Sequence, residues 1–123
     1  EKKNPFTADE RREMIVSSIE PSIIDRISIF NIPDVDDHEK WTFEIDQIVP
    51  KYDIVFTNDE FTKTLFGKRG IDAITVTLKE RERFSGTNIR QLITNDKNWY
   101  DLVPKGTQSV LKKINANQRL KNL

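Results

Sequence analysis

The stretch YDIVFTNDEFTKTLFGKRGIDAITVT, residues 52–77, decides the fold. Residues 52–57 are rich in β-branched and aromatic side chains, which is typical of a short buried strand. Residues 59–68 have helical spacing, and Gly70 is suited to end that helix. Residues 71–77 again have the composition of a strand. Strand, helix and strand in this order predict two parallel strands joined by a right-handed crossover.

The segments before this stretch extend the same pattern. Thr7 and Glu10 form a capping box that opens a helix over residues 7–19, and Pro21 marks its end. Residues 27–32 alternate apolar and polar side chains, which predicts another strand. The chain is therefore expected to open with a helix followed by a strand.

The remaining segments add helices and loops. Residues 34–39 read as an acidic loop, and residues 41–48 as a helix. Residues 79–84 form a charged loop before a helix over residues 85–94, and residues 104–123 hold one or two amphipathic helices. The alternation of helices and strands predicts an α/β protein with a parallel sheet covered by helices on both faces.

Composition excludes several classes of protein. The 123 residues contain no cysteine and one histidine, so a cysteine nucleophile, a cysteine-ligated metal and a zinc site with several histidines are all excluded. No apolar run approaches the length that crosses a bilayer. We therefore expect a cytoplasmic protein of one domain, residues 1–123, without membrane association.

The charges are balanced overall but unevenly distributed. The formal net charge is zero, with −6 over residues 1–78 and +6 over residues 79–123. Zero net charge argues against nucleic acid as a partner. A basic final third favours a local anion site.

The candidate anion site lies in RERFSGTNIR, residues 81–90. Ser85 is a good helix cap, Gly86 removes side-chain bulk, and Thr87 adds a hydroxyl beside free backbone N–H groups. Arg81 and Arg90 could close on an anion held there. The alternative is that Ser85 only caps a helix beside surface arginines.

Two segments resemble a known enzyme family. Residues 85–90, SGTNIR, resemble the S-G-T-x-I-R signature of nucleotidylyltransferases. Residues 4–11, NPFTADER, resemble the N-P-F-T-A-G-E-R segment of archaeal-type nicotinamide-nucleotide adenylyltransferases, with Asp9 in place of glycine. Further matches in family order and spacing cover nearly the whole chain: Trp41, residues 52–56, Leu65, Phe66, Arg81, residues 102–105 and residues 118–123.

The resemblance implies a Rossmann-like nucleotidylyltransferase fold with C-terminal helices and a reaction of NAD biosynthesis. These enzymes join nicotinamide mononucleotide to the AMP part of ATP, with Mg²⁺, and give NAD and pyrophosphate. Phosphoryl chemistry of this kind rests on positioning and electrostatic stabilisation, so it needs no side-chain nucleophile. The archaeal members are homo-oligomers, and the resemblance implies the same here.

The resemblance also assigns residues. The expected ATP-phosphate ligands are Ser85, Gly86, Thr87, Asn88, Arg90 and Arg81, of which Ser85, Thr87 and Arg90 would also act in catalysis. The expected contacts to the nicotinamide nucleotide are Trp41, Lys3, Thr57, Asn58 and His38. Trp41 would stack on the nicotinamide ring, and backbone groups at Thr57 and Asn58 would recognise its amide. No protein metal ligand is expected.

Other interpretations remain open at this point. Trp41 could belong to the core, and His38 could be an exposed loop residue. The family's H-x-G-H motif is absent from these residues, and the chain begins at Glu1, so we expect an N-terminal truncation. The alternative functions are a nucleotidylyltransferase for flavin mononucleotide or phosphopantetheine, and a non-catalytic nucleotide-binding regulatory module.

Overall fold

A small parallel sheet and eight α-helices form residues 4–123, the part of the chain that the computed structural model describes. Strands β1 (Val55–Phe56) and β2 (Ala73–Ile74) are parallel, with Val55 opposite Ala73. The helices are α1 (Ala8–Ser18), α2 (Pro21–Ile24), α3 (His38–Ile48), α4 (Glu60–Lys68), α5 (Arg81–Phe84), α6 (Gly86–Thr94), α7 (Lys105–Lys113) and α8 (Ala116–Lys121), with a 3₁₀ turn at Tyr100–Leu102. The predicted α/β class with a parallel sheet is confirmed and agrees with a Rossmann-like nucleotidylyltransferase fold.

The chain divides into two compact units. The discontinuous unit contains Glu1–Ile29 and Lys79–Leu123, and the continuous unit contains Phe30–Leu78. The prediction of a single domain over residues 1–123 stays a prediction.

The continuous unit is built on the predicted strand–helix–strand stretch. The Asp59 carboxylate caps α4 by accepting from the backbone N–H of Thr62 at 2.9 Å. Gly70 has a φ of +72°, and the next residue, Ile71, donates its N–H to the carbonyl of Phe66 at 3.1 Å. This left-handed glycine ends the helix as predicted, because a residue without a Cβ adopts that conformation at little cost.

An arginine joins α4 to α3 inside this unit. Arg69 donates to the carbonyl of Thr42 at 3.0 Å, and its guanidinium lies 4.0 Å from the centre of the Phe43 ring. It also pairs with Asp46, which lowers the pKa of that carboxyl. These contacts hold the two helices together beside the buried Leu65.

The discontinuous unit has a larger apolar core. Ile93, Leu111 and Ala116 are buried in one cluster contributed by α6, α7 and α8. Partly buried apolar side chains surround this cluster: Phe6, Met14, Ile89, Trp99, Ile114 and Leu120. Trp99 therefore packs the C-terminal region onto its unit.

Polar contacts with distant residues also join helix α1 to the rest of its unit. Glu10 closes the predicted capping box with Thr7 and accepts from both terminal nitrogens of Arg119, at 2.6 and 2.9 Å. The hydrogen bond from Arg119 is the main reason why the pKa of Glu10 falls to about 2. The hydroxyls of Ser18 and Thr107 form a second link between distant segments, at 3.0 Å.

The predicted strand over residues 27–32 is wrong. These residues carry no strand in the structure, and within residues 4–123 β1 pairs only with β2. The carbonyl of Ile29 instead accepts a hydrogen bond from Arg12 at 3.2 Å. Alternation of side chains favours an extended segment, but a strand also needs a neighbouring backbone, and the pattern does not specify one.

Several predicted boundaries also change. Pro21 begins α2 rather than only ending α1, since proline suits the first helical position. His38 lies on α3 and not in the acidic loop, because Asp37 caps this helix through the N–H groups of residues 39 and 40. Part of the predicted loop over residues 79–84 is the short helix α5.

Candidate functional site

The start of α6 presents backbone donors at a helix N-terminus. The Ser85 hydroxyl accepts from the N–H of Asn88 at 3.2 Å and so caps the helix as predicted. The N–H groups of Gly86 and Thr87 have no acceptor among residues 4–123. Free donors and the positive end of the helix dipole coincide here, and this combination suits an anion.

Arg90 folds back over this first turn. Its terminal nitrogen lies 3.5 Å from the Thr87 hydroxyl. A Cβ at Gly86 would lie only 2.8 Å from the other terminal nitrogen of Arg90, so a larger residue would displace the guanidinium. The glycine thus allows the arginine to approach the helix start, a role that the sequence pattern alone does not reveal.

The two remaining predicted phosphate ligands lie on either side of this turn. The Asn88 side chain donates to the carbonyl of Arg83 at 2.8 Å, and it therefore ties α6 to the end of α5. Arg81 begins α5 and is exposed, while its carbonyl accepts from the N–H of Ser85 at 2.8 Å. The structure thus brings all six predicted ATP-phosphate residues to the start of α6 or to the short helix before it.

A cleft of about 680 Å³ runs along α6 from this turn. Thr87 and Arg90 line one end, and Lys121 of α8 lines another part. This volume lies within the range of small-molecule sites, so the cleft has room for a nucleotide-sized ligand.

A second cavity, of about 300 Å³, lies in the continuous unit. Trp41 and His38, one turn apart on α3, line it together with Phe61 at the start of α4. The His38 ring meets the Phe61 ring edge to face, with 5.1 Å between ring centres. Trp41 is half-buried and forms part of the cavity wall, so it can pack within its unit and still offer a surface to a ligand.

The predicted residues at the end of β1 have local partners. The N–H of Thr57 donates to the carbonyl of Ile74 at 3.0 Å, and the Asn58 side chain accepts from the N–H of Val76 at 2.9 Å. The Thr57 N–H therefore belongs to the sheet and is not a free donor. Asn58, whose side chain holds its loop against the segment after β2, is the better candidate for backbone recognition of a ligand.

Several residues that line the cavity are absent from the predicted set. Phe61 and Asp59 line the cavity, yet in sequence they resemble an ordinary helix start. Hydrogen bonds from Thr62 lower the pKa of the Asp59 carboxyl. The available sequence signal is their position directly after a strand end, where α/β proteins place ligands.

Three further predictions concern Lys3, metal ligands and membrane-spanning helices. Lys3 lies outside the described residues, so its proposed contact stays a prediction. Within residues 4–123 no group of three or more His, Asp or Glu side chains is placed to hold a metal ion. A helix that is long and apolar enough to cross a membrane is absent from the same residues.

Together, the fold and these two sites define an α/β protein with a helix start suited to an anion and an aromatic-walled cavity. No family model matches the sequence. A nicotinamide-nucleotide adenylyltransferase of Thermococcus sibiricus is 36% identical over 123 residues, covering 98% of this chain and 66% of the relative. Enzymes of the same name from Picrophilus torridus and Pyrobaculum arsenaticum are each 32% identical, with 72% and 68% of their lengths covered.

The chain therefore belongs to the nicotinamide-nucleotide adenylyltransferase family, as the two sequence motifs predict. It spans 66% of the length of the Thermococcus sibiricus and Pyrococcus horikoshii relatives.

Proposed function

We propose that the protein transfers the AMP part of ATP to nicotinamide mononucleotide, giving NAD and pyrophosphate. The observation that carries the proposal is the start of α6, where Arg90 lies over two free backbone donors in a chain of this family. Such a site suits a phosphate chain on which negative charge develops.

The proposed reaction is a displacement at phosphorus. A phosphate oxygen of the mononucleotide attacks the α-phosphorus of ATP, and the bond from that phosphorus to the oxygen bridging to the β-phosphate breaks. The electron pair of that bond leaves with pyrophosphate. Positioning and charge stabilisation supply most of the acceleration in this chemistry, so the absence of cysteine is no obstacle.

On the ATP side, the residues at the start of α6 act by binding and orienting. The N–H groups of Gly86 and Thr87 would donate to phosphate oxygens, and the Thr87 hydroxyl would add a donor. Arg90 would stabilise the charge on the leaving pyrophosphate, with Arg81 as a further cation. Ser85 and Asn88 would hold the turn in place through the contacts already described.

On the nicotinamide side, aromatic packing is the main proposed interaction. Trp41 would stack on the flat ring of the mononucleotide, beside His38 in the same cavity. Backbone groups at Asn58 would recognise the amide, and Lys3 would approach the phosphate. A stacking platform favours a nicotinamide or flavin acceptor over phosphopantetheine, which has no aromatic ring in its acceptor part.

We propose that Mg²⁺ enters bound to the triphosphate of ATP. The described side chains at the start of α6 are donors and cations and contain no cluster of carboxylates, which fits a metal held mainly by phosphate oxygens. When bound, Mg²⁺ neutralises charge on the phosphates.

Turnover tests the function directly. The protein is incubated with ATP and Mg²⁺ and either nicotinamide mononucleotide, flavin mononucleotide or phosphopantetheine, and dinucleotide and pyrophosphate are quantified. We expect NAD and pyrophosphate in equal amounts with the nicotinamide nucleotide alone. Product with another acceptor would assign a different nucleotidylyltransferase activity, and binding of ATP without any product would favour a regulatory module.

Oligomeric state and location complete the proposal. We infer a homo-oligomer, for which exposed apolar side chains such as Phe56, 63% exposed, offer contact area. Light scattering of the purified protein tests this, and a monomeric mass would contradict it. We also infer a cytoplasmic location, because a sequence without cysteine is compatible with a reducing compartment. Cell fractionation would test this location.

A further inference from the structure

The cavity beside Trp41 combines aromatic rings with carboxylates. Three rings line it, those of His38, Trp41 and Phe61, and two acidic side chains, Asp34 and Asp59, lie at the same cavity. Aromatic faces and carboxylates both attract cations and repel anions. The cavity is therefore suited to a flat ring with positive charge and little negative charge.

Asp59 is held in place as an ionised group. One of its oxygens accepts from both the N–H and the hydroxyl of Thr62, at 2.9 and 2.6 Å. These hydrogen bonds lower the pKa of its carboxyl, and an ion-pair partner for it is absent among the residues described. A fixed and unneutralised charge contributes to selectivity between ligands that differ in charge.

The two forms of the pyridine mononucleotide differ in the charge of the group on the ring. Both carry a cationic ring, but nicotinate mononucleotide has a carboxylate where nicotinamide mononucleotide has a neutral amide. Resting on the proposed function, we propose that Asp59, assisted by Asp34, selects the amidated nucleotide by repelling the carboxylate of the deamidated one. Asp59 thus acts as a specificity-determining residue.

The expected effect is moderate. In a cavity open to solvent, a charge a few ångströms from a ligand carboxylate changes affinity by about 3- to 10-fold, because water and salt screen much of the interaction. The wild-type protein should therefore bind nicotinamide mononucleotide more tightly than nicotinate mononucleotide. Loss of one carboxylate should reduce this preference by a similar factor.

Asp59→Asn is the direct test, because asparagine keeps the helix cap while removing the charge. Dissociation constants of both mononucleotides are measured by calorimetry on wild type, Asp59→Asn and Asp34→Asn. Asp36→Asn is the matched control. Asp36 is an exposed residue of the acidic segment that contains Asp34, but Asp36 does not line the cavity, so this substitution removes one negative charge outside it. We expect the preference to fall about 3- to 10-fold in Asp59→Asn, less in Asp34→Asn, and not in Asp36→Asn.

The other outcomes separate this proposal from the proposed function. If both nucleotides bind and the preference is the same in wild type and Asp59→Asn, the selectivity role is wrong and the function stands. An equal change in Asp36→Asn would show an effect of overall charge and would also overturn it. If wild type binds neither nucleotide, the proposed function fails and the selectivity proposal fails with it.

Discussion

The two compact units differ in how sequence encodes their folds and their sites. In the discontinuous unit the candidate phosphate site lies within one stretch, residues 81–90, whereas the unit itself depends on contacts such as Glu10 with Arg119. In the continuous unit the strand–helix–strand fold lies in one stretch, residues 52–77, whereas the cavity is lined from separate segments. Residues close in sequence thus form the site of one unit, whose fold depends on distant contacts. In the other unit, residues close in sequence form the fold, and distant segments form the site.

The largest expected effect tests the local site. Arg90→Ala should reduce transition-state stabilisation, measured through kcat/KM, by about 2–4 kcal/mol, because it removes a donor from the developing charge. Its one side-chain hydrogen bond among residues 4–123 is the long contact with Thr87, so the melting temperature should change little. Turnover and thermal unfolding of the same sample check both parts, and a folded variant with normal turnover would contradict the phosphate role.

The next prediction tests the non-local fold of the same unit. Gly106→Ala should reduce the free energy of unfolding by about 1–3 kcal/mol, because overpacking forces packed elements apart. A Cβ at Gly106 would overlap the carbonyl oxygen of Ser17 in α1, and this backbone atom cannot move as a side chain does.

Gly86→Ala is the matched control for this substitution, since its Cβ would meet only the mobile end of Arg90. Urea titration of both variants measures the difference. Equal stability of the two would show that the contact between α1 and α7 is not as close as described.

The third prediction tests the assembled cavity. Trp41→Phe should weaken binding of nicotinamide mononucleotide by about 0.5–1.5 kcal/mol, because a smaller ring stacks less well, and should leave ATP affinity unchanged. Titration of NAD with tryptophan fluorescence as the signal should show quenching in wild type that is lost in this variant. Equal weakening of both ligands would mean that Trp41 serves only the packing of its unit.

The smallest expected effect concerns pH and the contact that joins α1 to α8. The pKa of Glu10 is lowered to about 2 from an ordinary value of 4.5, so the charged form stabilises the fold above pH 4.5 and this contribution is lost as pH falls toward 2. Because the pair is partly exposed to solvent, we expect only about 1 kcal/mol.

Thermal unfolding of wild type and Glu10→Gln as a function of pH measures this contribution. The wild-type melting temperature should exceed that of the variant near neutral pH, and the two curves should converge as the carboxyl becomes protonated. Parallel curves over the whole acid range would contradict the assigned role of Glu10.

Much of the fold could be predicted from local pattern. The capping box at Thr7, the cap at Ser85 and the helix end at Gly70 all appear where the sequence places them. Each depends on residues within a few positions of one another, so neighbouring side chains carry the information. That residues 27–32 form no strand was not predictable in this way, because a strand requires a partner that its own residues do not specify.

Sequence by itself therefore determined the strand–helix–strand unit, the capped start of α6 and membership of the family. The physical basis of the two structural features is short-range: hydrogen bonds to nearby backbone groups and the conformational freedom of Gly70. Only the tertiary structure decided that Phe61 and Asp59 share a cavity with Trp41, that Thr57 donates to the sheet and that Arg90 lies against Gly86. These features depend on how separate backbone segments and side-chain rotamers meet in space, and linear spacing does not specify such contacts.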